Sequence, residues 1–245
     1  MSTLFISDLH LDPSRPAVTR AFLDLLAQQT HHIDALYILG DFFEAWIGDD
    51  ESDPLHEQVK QALRLTTDSG TPIFIMHGNR DFLMGDDFCQ QTGCLLIEDP
   101  SVVELYGHKV LLMHGDSLCT ADSSYMEFRA TVRSDAWKKD VLNRSLEERR
   151  VMAKKFREAS MEAQSNKAED IVDVTPSEIT KVMNNNNVNL LIHGHTHRPA
   201  IHTVALDGGT EGKRIVLGDW DDHGWLLRYE NTGQYELEQF SINHQ

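Results

Sequence analysis

Residues of types that bind metal ions follow short apolar segments at five places in the chain. Two of these places carry a pair of candidate ligands two residues apart, and the other three carry one candidate each beside a glycine. In chain order the motifs are Asp8-Leu9-His10, Gly40-Asp41, Gly78-Asn79-Arg80-Asp81, His114-Gly115-Asp116 and Gly194-His195-Thr196-His197. Any one of them alone would more often be a helix cap, a turn or a packed histidine. Together they predict a metal site.

The chemistry of these ligands indicates what the site could do. The candidates are Asp8, His10, Asp41, Asn79, His114, His195 and His197. Carboxylate, imidazole and amide ligands suit manganese, iron, cobalt or zinc, and this set is too large for one tetrahedral ion. Two ions that share Asp41, about 3.5–4 Å apart, could activate a water and stabilise a phosphoryl group. The sequence thus predicts hydrolysis of a phosphate ester or anhydride, with Asp81, Asp116 and His193 left outside the metal set as orienting residues.

The elements that must position these motifs are short strands. Apolar runs at 4–6, 36–39, 73–76, 110–113 and 190–192 are too short for helices and predict buried strands. Because strand ends at one edge of an α/β sheet form a single crevice, the motifs should meet there. The ligand pairs Asp8/His10 and His195/His197 should each point one way from an extended backbone.

Helical patterns lie between and after these strands. Amphipathic stretches at 17–29 and 55–68 give a β-α-β-α-β order, and therefore a layered α/β fold. Residues 106–108 predict a hairpin turn, and runs from 201 to 240 predict antiparallel strands. Thr175-Pro-Ser-Glu178 matches a capping box for a helix that should stop at Asn184-Asn187. The charged segment from about 134 to 166 predicts one or two further helices.

Composition limits the class of protein. With 245 residues the chain suits one domain, and its net charge of −17 argues against binding to nucleic acid. Residues 129–167 differ, since eleven cations and six acids give this segment a net charge of +5. Three cysteines without a disulfide pattern, and no signal-like or membrane-spanning stretch, predict a cytoplasmic protein.

The motifs also resemble those of a known family. D-L-H, G-D, G-N-R-D, H-G-D and G-H-T-H in this order resemble the calcineurin-like metallophosphoesterases. The longer stretches I-S-D-L-H-L, F-E-A-W-I-G-D-D, H-G-N-R-D-F-L and L-I-H-G-H-T-H-R-P-A resemble the UDP-2,3-diacylglucosamine pyrophosphohydrolases of lipid A biosynthesis, over nearly the whole chain. The resemblance implies a layered α/β sandwich of mixed sheets flanked by helices. It further implies one domain at 1–245 with an inserted helical lid at about 122–167.

The resemblance implies a role for each site residue. One manganese ion would be held by Asp8, His10, Asp41 and His197, and a second by Asp41, Asn79, His114 and His195. The catalytic residues would be Asp41, Asn79, Arg80 and His195. The substrate would contact Asn79, Arg80, Asp122, Tyr125, Arg157, Ser160, Gln164, Lys167 and His195. Arg80 stands where most metallophosphoesterases have histidine, and a permanent guanidinium suits phosphate binding better than acid catalysis.

The implied reaction is attack of hydroxide, held by the two metals, on the α-phosphorus of a lipid-linked UDP-sugar. It releases UMP and 2,3-diacylglucosamine 1-phosphate. The segment of net charge +5 also carries Trp137, Val141, Leu142, Met152 and Phe156, which predicts docking on the anionic inner face of the inner membrane. We therefore expect a monomer attached peripherally to the cytoplasmic face of that membrane, without a nucleic-acid partner. Gln164 replaces the usual asparagine, and residues 142–150 are more polar than in comparable members, which leaves acyl-chain preference and membrane docking open.

Three alternatives remain open at this stage. A soluble nucleotide phosphodiesterase or phosphatase of the same superfamily would keep every metal role and lose the lid. A scaffold that retained the fold without turnover is disfavoured by seven intact ligand positions. A nuclease is disfavoured by the acidic charge balance.

Overall fold

The computed structural model describes residues 1–29, 32–166 and 173–243, and the side chains of this range except 161–166. Its first sheet has the strand order β11-β10-β1-β2-β3-β4, and its second has the order β5-β6-β7-β9-β8. The first sheet contains β1 Ser2–Ile6, β2 Ala35–Leu39, β3 Ile73–Met76, β4 Leu95–Ile97, β10 His223–Glu230 and β11 Tyr235–Ser241. The second contains β5 Ser101–Leu105, β6 His108–Leu112, β7 Leu190–His193, β8 Ala200–Ala205 and β9 Glu211–Val216.

Seven α-helices lie within the described ranges. They are α1 Pro16–Gln29, α2 Pro54–Asp68, α3 Asp86–Thr92, α4 Ser123–Val132, α5 Asp135–Leu142, α6 Leu146–Asn166 and α7 Pro176–Asn186. We refer to α4–α6, residues 123–166, as the three-helix segment. Among the described residues, no helix combines the length and the apolar character needed to cross a membrane.

The period of two in the strands explains the layers. In β1, Leu4 and Ile6 pack in the core beneath α1 and α2, whereas Phe5 points into the core between the two sheets. In β6, Val110 and Leu112 face the same inter-sheet core, whereas Leu111 packs with Met183 of α7 on the other side. Both faces of the sheets are therefore covered at these two strands, which is why their buried positions 4–6 and 110–112 are wholly apolar. The predicted α/β sandwich of mixed sheets is confirmed.

The topology corrects two expectations. The five motif strands do not share one sheet edge, because β1, β2 and β3 lie in the first sheet and β6 and β7 in the second. The C-terminal strands are antiparallel in β8/β9 and β10/β11, but β9 also pairs parallel with β7. The predicted hairpin is present, with Tyr106 and Gly107 at φ values of 51° and 86°.

The helix predictions are largely confirmed. The segment from 134 to 166 forms two helices, α5 and α6. Helix α7 has Pro176 in its first turn and ends at Asn187 in the left-handed conformation. The capping box is wrong, because Thr175 makes no side-chain bond to its own helix and its hydroxyl instead accepts a bond from Thr120, 2.9 Å away.

Candidate metal centre

The loops that follow β1, β2, β3, β6 and β7 meet at one place, where the two sheets come together. Asp8, His10 and His197 form one group of possible metal ligands, and Asp41, His114 and His195 form a second. Within each group the ligand atoms all lie within 4.8 Å of one another. Asn79 joins the second group, with its Oδ1 3.0 Å from His114 Nε2. The structure therefore brings together all seven side chains predicted from the sequence.

The backbone conformation at these residues differs from the expectation. Asp8, His10, Asp41, His195 and His197 all have positive φ, between 48° and 69°. The ligand pairs are thus presented by left-handed residues and not by an extended backbone. Such a conformation costs a non-glycine residue about 1–3 kcal/mol, so the surrounding structure must enforce it.

Two glycines let the motif loops approach one another. A Cβ added at Gly78 would collide with the carboxylate and the backbone nitrogen of Asp41. One added at Gly194 would collide with the carboxylate of Asp8 and the hydroxyl of Ser7. The glycines of these motifs are therefore required by close contact between loops, which brings candidate ligands from different strands side by side.

The first group has the geometry of a cation site. The Nε2 atoms of His10 and His197 face each other at 3.4 Å, and Asp41 Oδ2 lies 3.8 Å from His10 Nε2. Asp8 Oδ1 is buried without a hydrogen bond, 3.4 Å from His197 Nε2. Burial would lower the pKa of His197, but its close contact with the negatively charged Asp8 carboxylate raises this pKa to about 9. The site thus favours positive charge, as a metal site should.

The second group shares this character. His114 Nδ1 lies 2.9 Å from the carbonyl oxygen of Leu39, which leaves Nε2 directed at Asn79 and 3.7 Å from Asp41 Oδ1. Burial acts to lower the pKa of His114, but Asp41 and other carboxylates raise it to about 9. By contrast, burial and the nearby His114 lower the pKa of His195 to about 4, which keeps this imidazole neutral. Oxygen and imidazole ligands around a shared carboxylate fit a pair of divalent ions.

Three charged residues adjoin the first group. Glu44 Oε2 lies 3.2 Å from His10 Nδ1, and Glu44 Oε1 lies 3.1 Å from Arg157 Nε of α6. The same Oε1 lies 3.8 Å from Arg80 NH1, and the backbone N–H of Arg80 donates to Asp41 Oδ1 at 2.9 Å. Burial opposes ionisation of Glu44, but His10, Arg80 and Arg157 lower its pKa. Two guanidinium groups are therefore held beside the candidate ligands by one carboxylate.

Helix α4 attaches to the second group through one face. Tyr125, Arg129 and Arg133 are spaced four residues apart, and the Tyr125 hydroxyl and Arg129 Nε both donate to Asp116 Oδ2 at 2.8 Å. Arg133 donates to the Gly78 carbonyl at 2.7 Å. Burial and the negative charge of Asp116 raise the pKa of Tyr125, which keeps its hydroxyl protonated as a donor. The Tyr125 ring lies against that of His195, with centroids 6.2 Å apart.

Comparison with known proteins identifies the family. The family model described as calcineurin-like phosphoesterase matches residues 1–199. The chain belongs to this family. The phosphoesterase is 57% identical to the UDP-2,3-diacylglucosamine hydrolase of Marinobacter nauticus over 93% of each chain. It is 53% identical to the one of Cellvibrio japonicus, over 95% of this chain and 97% of that one. It is 56% identical to the one of Pseudomonas fluorescens, over 94% and 92%.

A solved structure supports the fold alone. An archaeal phosphodiesterase superposes on the phosphoesterase with a TM-score of 0.51 at 13% sequence identity, over 98% of this chain and 100% of that chain. The likeness extends across both sheets and carries no information on substrate.

The predicted substrate residues fall into three groups. Asn79, Arg80, Tyr125, Arg157 and His195 lie at the candidate metal centre or one contact away. Asp122 caps α4, accepting from the backbone N–H of Tyr125 at 3.1 Å, and Ser160 is half-buried one turn after Arg157 on α6. The Gln164 side chain and Lys167 lie outside the described residues.

Three acidic residues at the site make contacts that the sequence does not predict. Asp81 accepts from the backbone N–H groups of Gly78 and Phe42, both at 2.7 Å, and so ties two motif loops together. Asp116, which the sequence places outside the metal set, accepts hydrogen bonds from Tyr125 and Arg129 of α4, and its spacing in the sequence gives no sign of these contacts. Glu44 is part of the F-E-A-W-I-G-D-D stretch, which was the only available signal for it.

Proposed function

We propose that the chain hydrolyses the pyrophosphate bond of UDP-2,3-diacylglucosamine, releasing UMP and 2,3-diacylglucosamine 1-phosphate, as a step of lipid A biosynthesis. The observation that carries this proposal is the convergence of seven candidate ligands on a centre shared through Asp41, with two guanidinium groups beside it. Relatives named UDP-2,3-diacylglucosamine hydrolase, 52–57% identical over most of the chain, support the choice of substrate.

In this proposal two manganese ions occupy the centre. Asp8, His10, Asp41 and His197 hold one ion, and Asp41, Asn79, His114 and His195 hold the other. When bound, such a pair supplies an activated water and stabilises charge that develops on a phosphoryl group. The orphaned carboxylate oxygen of Asp8 and the facing nitrogens of His10 and His197 support this assignment.

The surrounding side chains bind and orient the diphosphate. The Arg80 side chain is 19% exposed beside the candidate ligands, so its guanidinium can donate to a phosphate oxygen. Arg157 approaches the same region from α6, with its guanidinium half-exposed. Tyr125 borders the second group and Asn79 belongs to it, so both can position the phosphoryl group or sugar next to His195.

The three-helix segment acts as a lid within one domain and accommodates the acyl chains. Aromatic rings connect it to the core, from Phe82 to Trp137 at 5.9 Å, Trp137 to Phe156 at 6.1 Å, and Phe156 to Phe128 at 5.2 Å. Phe128, Leu142 and Val151 remain more than a third exposed on this segment. An apolar surface beside a diphosphate site suits a substrate that is charged at one end and acylated at the other.

The proposal is tested by release of UMP from UDP-2,3-diacylglucosamine. Chelator-stripped protein should produce UMP only after manganese is added, and Asp41→Asn should produce none under either condition. If wild type and variant both fail on this substrate but the wild type cleaves a soluble phosphodiester with manganese, the site stands and the lipid substrate is wrong. This outcome would favour a soluble nucleotide phosphodiesterase.

We also propose that the protein acts as a monomer attached peripherally to the cytoplasmic face of the inner membrane. Exposed Lys154 and Lys155 of α6 lie on the segment with the net positive charge, which favours anionic headgroups. Lys154→Glu with Lys155→Glu should reduce co-sedimentation with vesicles of anionic lipid, whereas Lys109→Glu with Lys181→Glu should not. Equal binding by both double variants would reject the attachment surface.

A further inference from the structure

Glu44 occupies a position that no metal or substrate role explains. It lies three residues after Asp41, in the loop between β2 and α2, and its side chain is 13% exposed. Oε2 lies 3.2 Å from His10 Nδ1, whereas Oε1 lies 3.1 Å from Arg157 Nε and 3.8 Å from Arg80 NH1. Its two oxygens thus face two different classes of group, an imidazole on one side and guanidinium groups on the other.

The contact with His10 bears on how that imidazole can bind a metal. A histidine that binds through one ring nitrogen commonly donates its other N–H to a carboxylate, which fixes the tautomer and increases the basicity of the binding nitrogen. His10 Nε2 faces His197 Nε2 at 3.4 Å, inside the first ligand group. A proton on Nδ1 would lie next to Glu44 Oε2, 3.2 Å away, and would leave Nε2 free for a cation.

The contacts of Glu44 with arginines bear on how the three-helix segment is held. Three carboxylates between residues 44 and 51 pair with arginines of α6, namely Glu44 with Arg157, Asp50 with Arg149 and Glu51 with Arg150. Of these three, Glu44 is the one that also contacts a candidate metal ligand. It therefore connects the core site to the helix that carries a predicted phosphate-binding residue.

We propose that Glu44 is a positioning residue, which orients His10 for metal binding and holds Arg80 and Arg157 beside the metal centre. The inference rests on the proposed two-metal site and not on the proposed substrate. The residue touches neither the ions nor the phosphates. It sets the direction of the groups that do.

The chain offers a matched control. Glu51 has the same 13% side-chain exposure as Glu44 and also pairs with an arginine of α6, with Oε1 3.0 Å from Arg150 Nε. Glu51→Gln therefore removes one carboxylate–arginine pair between the core and α6 and leaves His10 alone. Glu44→Gln removes a similar pair together with the carboxylate that faces His10.

The experiment is titration of metal-free wild type, Glu44→Gln and Glu51→Gln with Mn²⁺ by calorimetry, without substrate. Loss of such an orienting carboxylate typically weakens metal affinity by about 10- to 100-fold. We expect Glu44→Gln to lower the Mn²⁺ affinity of one of the two sites by this factor, and Glu51→Gln to change the Mn²⁺ affinity by less than about twofold. In the wild type, ¹⁵N NMR of the histidine side chains should show His10 protonated at Nδ1.

Equal Mn²⁺ affinity for Glu44→Gln and wild type would overturn the inference and leave the metal centre standing. A wild-type spectrum with the His10 proton on Nε2 would overturn it as well, without the need for a folded variant. Absence of Mn²⁺ binding by the wild type would overturn both this inference and the proposed metal centre. Failure to release UMP, with the Mn²⁺ results as expected, would remove only the proposed substrate.

Discussion

The loops that carry the candidate metal ligands are held in place differently from the three-helix segment. The loops are fixed by close packing, with glycines against carboxylates and five candidate ligands in the left-handed conformation. The three-helix segment is attached by ion pairs, with Arg129 on Asp116, Arg149 on Asp50 and Arg157 on Glu44, together with the ring contact between Trp137 and Phe82. Much of α6 is exposed from residue 147 to 159. Packed loops have little room to move, whereas paired charges can separate with less loss of buried apolar contact.

This difference has a functional meaning. Two metal ions that act on one phosphorus require ligands placed within about 0.5 Å, which dense packing can supply. If the three-helix segment covers a lipid substrate as proposed above, it must instead open and close, and ion pairs at the edge of a helix allow this.

The largest effect is expected where packing is tightest. Gly78→Ala places a methyl group against the carboxylate and backbone of Asp41, so the shared ligand must move. A displacement of about 1 Å at a reacting centre costs roughly 100-fold in rate. We expect at least this loss in manganese-dependent UMP release at saturating substrate, with weaker Mn²⁺ binding.

Gly107→Ala is the control for this substitution. Gly107 lies in the β5–β6 turn with φ of 86°, and a Cβ there has no heavy atom within 4 Å. The strain should cost about 1–2 kcal/mol of stability without a change in activity. Full activity in Gly78→Ala would mean that loop packing does not set the ligand positions.

The next effect concerns the attachment of α6. Arg149 is 3% exposed and donates at 2.7 Å to both Ile47 O and Asp50 Oδ1. Arg149→Leu removes these bonds, and we expect the free energy of unfolding in urea to fall by about 2 kcal/mol. Arg144→Leu removes an exposed pair with Asp140, worth at most about 0.5 kcal/mol. Equal losses would show that the contacts of Arg149 add nothing to the attachment.

The stability of the fold should depend on pH through Asp99, a buried carboxyl group that faces Arg129 of α4. Both carboxylate oxygens of Asp99 are buried without hydrogen bonds, and Arg129 NH2 lies 3.6 Å away. Burial and the negative charge of Asp116 raise the pKa of Asp99 to about 6 from 3.8. The folded state therefore binds this proton more tightly than the unfolded state, and stability falls as pH rises from about 4 to 6.

Asp99→Asn should remove this loss of stability with rising pH. At about pH 7 the variant should be more stable than the wild type by on the order of 1–2 kcal/mol, whereas at about pH 4 the difference should vanish. Urea unfolding at both pH values measures it, with exposed Asp24→Asn as the control for removing one negative charge. A constant difference at both pH values would show that the Asp99 carboxyl does not carry the pH dependence.

The smallest effect is dynamic. Amide hydrogens of α5 and α6 should exchange with solvent before those of β1, β2 and β7, because exposed helices held by ion pairs open at lower free energy than buried strands. Mass spectrometry of exchanged peptides gives the order. Equal protection of both regions would contradict the proposed difference between packing and charge.

The sequence predicts which residues form the site better than it predicts the strand pairing and backbone conformation that bring them together. Asp8, Asp41 and His195 were found because each follows an apolar strand, and this pattern is local. That the strands belong to two sheets depends on long-range pairing, which the residues before each motif do not encode. The left-handed backbone at the ligands was missed because non-glycine residues adopt it only when tertiary contacts enforce it.

The contacts of the three-helix segment were the least predictable. Its helices were expected from i,i+4 spacing, but the pairing of Arg149 with Asp50 spans 99 residues and that of Arg129 with Asp116 depends on where α4 docks. A charged helix face has many possible partners in sequence. Only the fold selects among them.

The most direct test of the shared two-metal centre is a crystal structure with Mn²⁺, read from the anomalous scattering of manganese. We expect two peaks, one among Asp8, His10 and His197 and one among Asn79, His114 and His195, with Asp41 contacting both. They should be separated by about 3.5–4 Å. A single peak, or two peaks that Asp41 does not bridge, would contradict the shared centre.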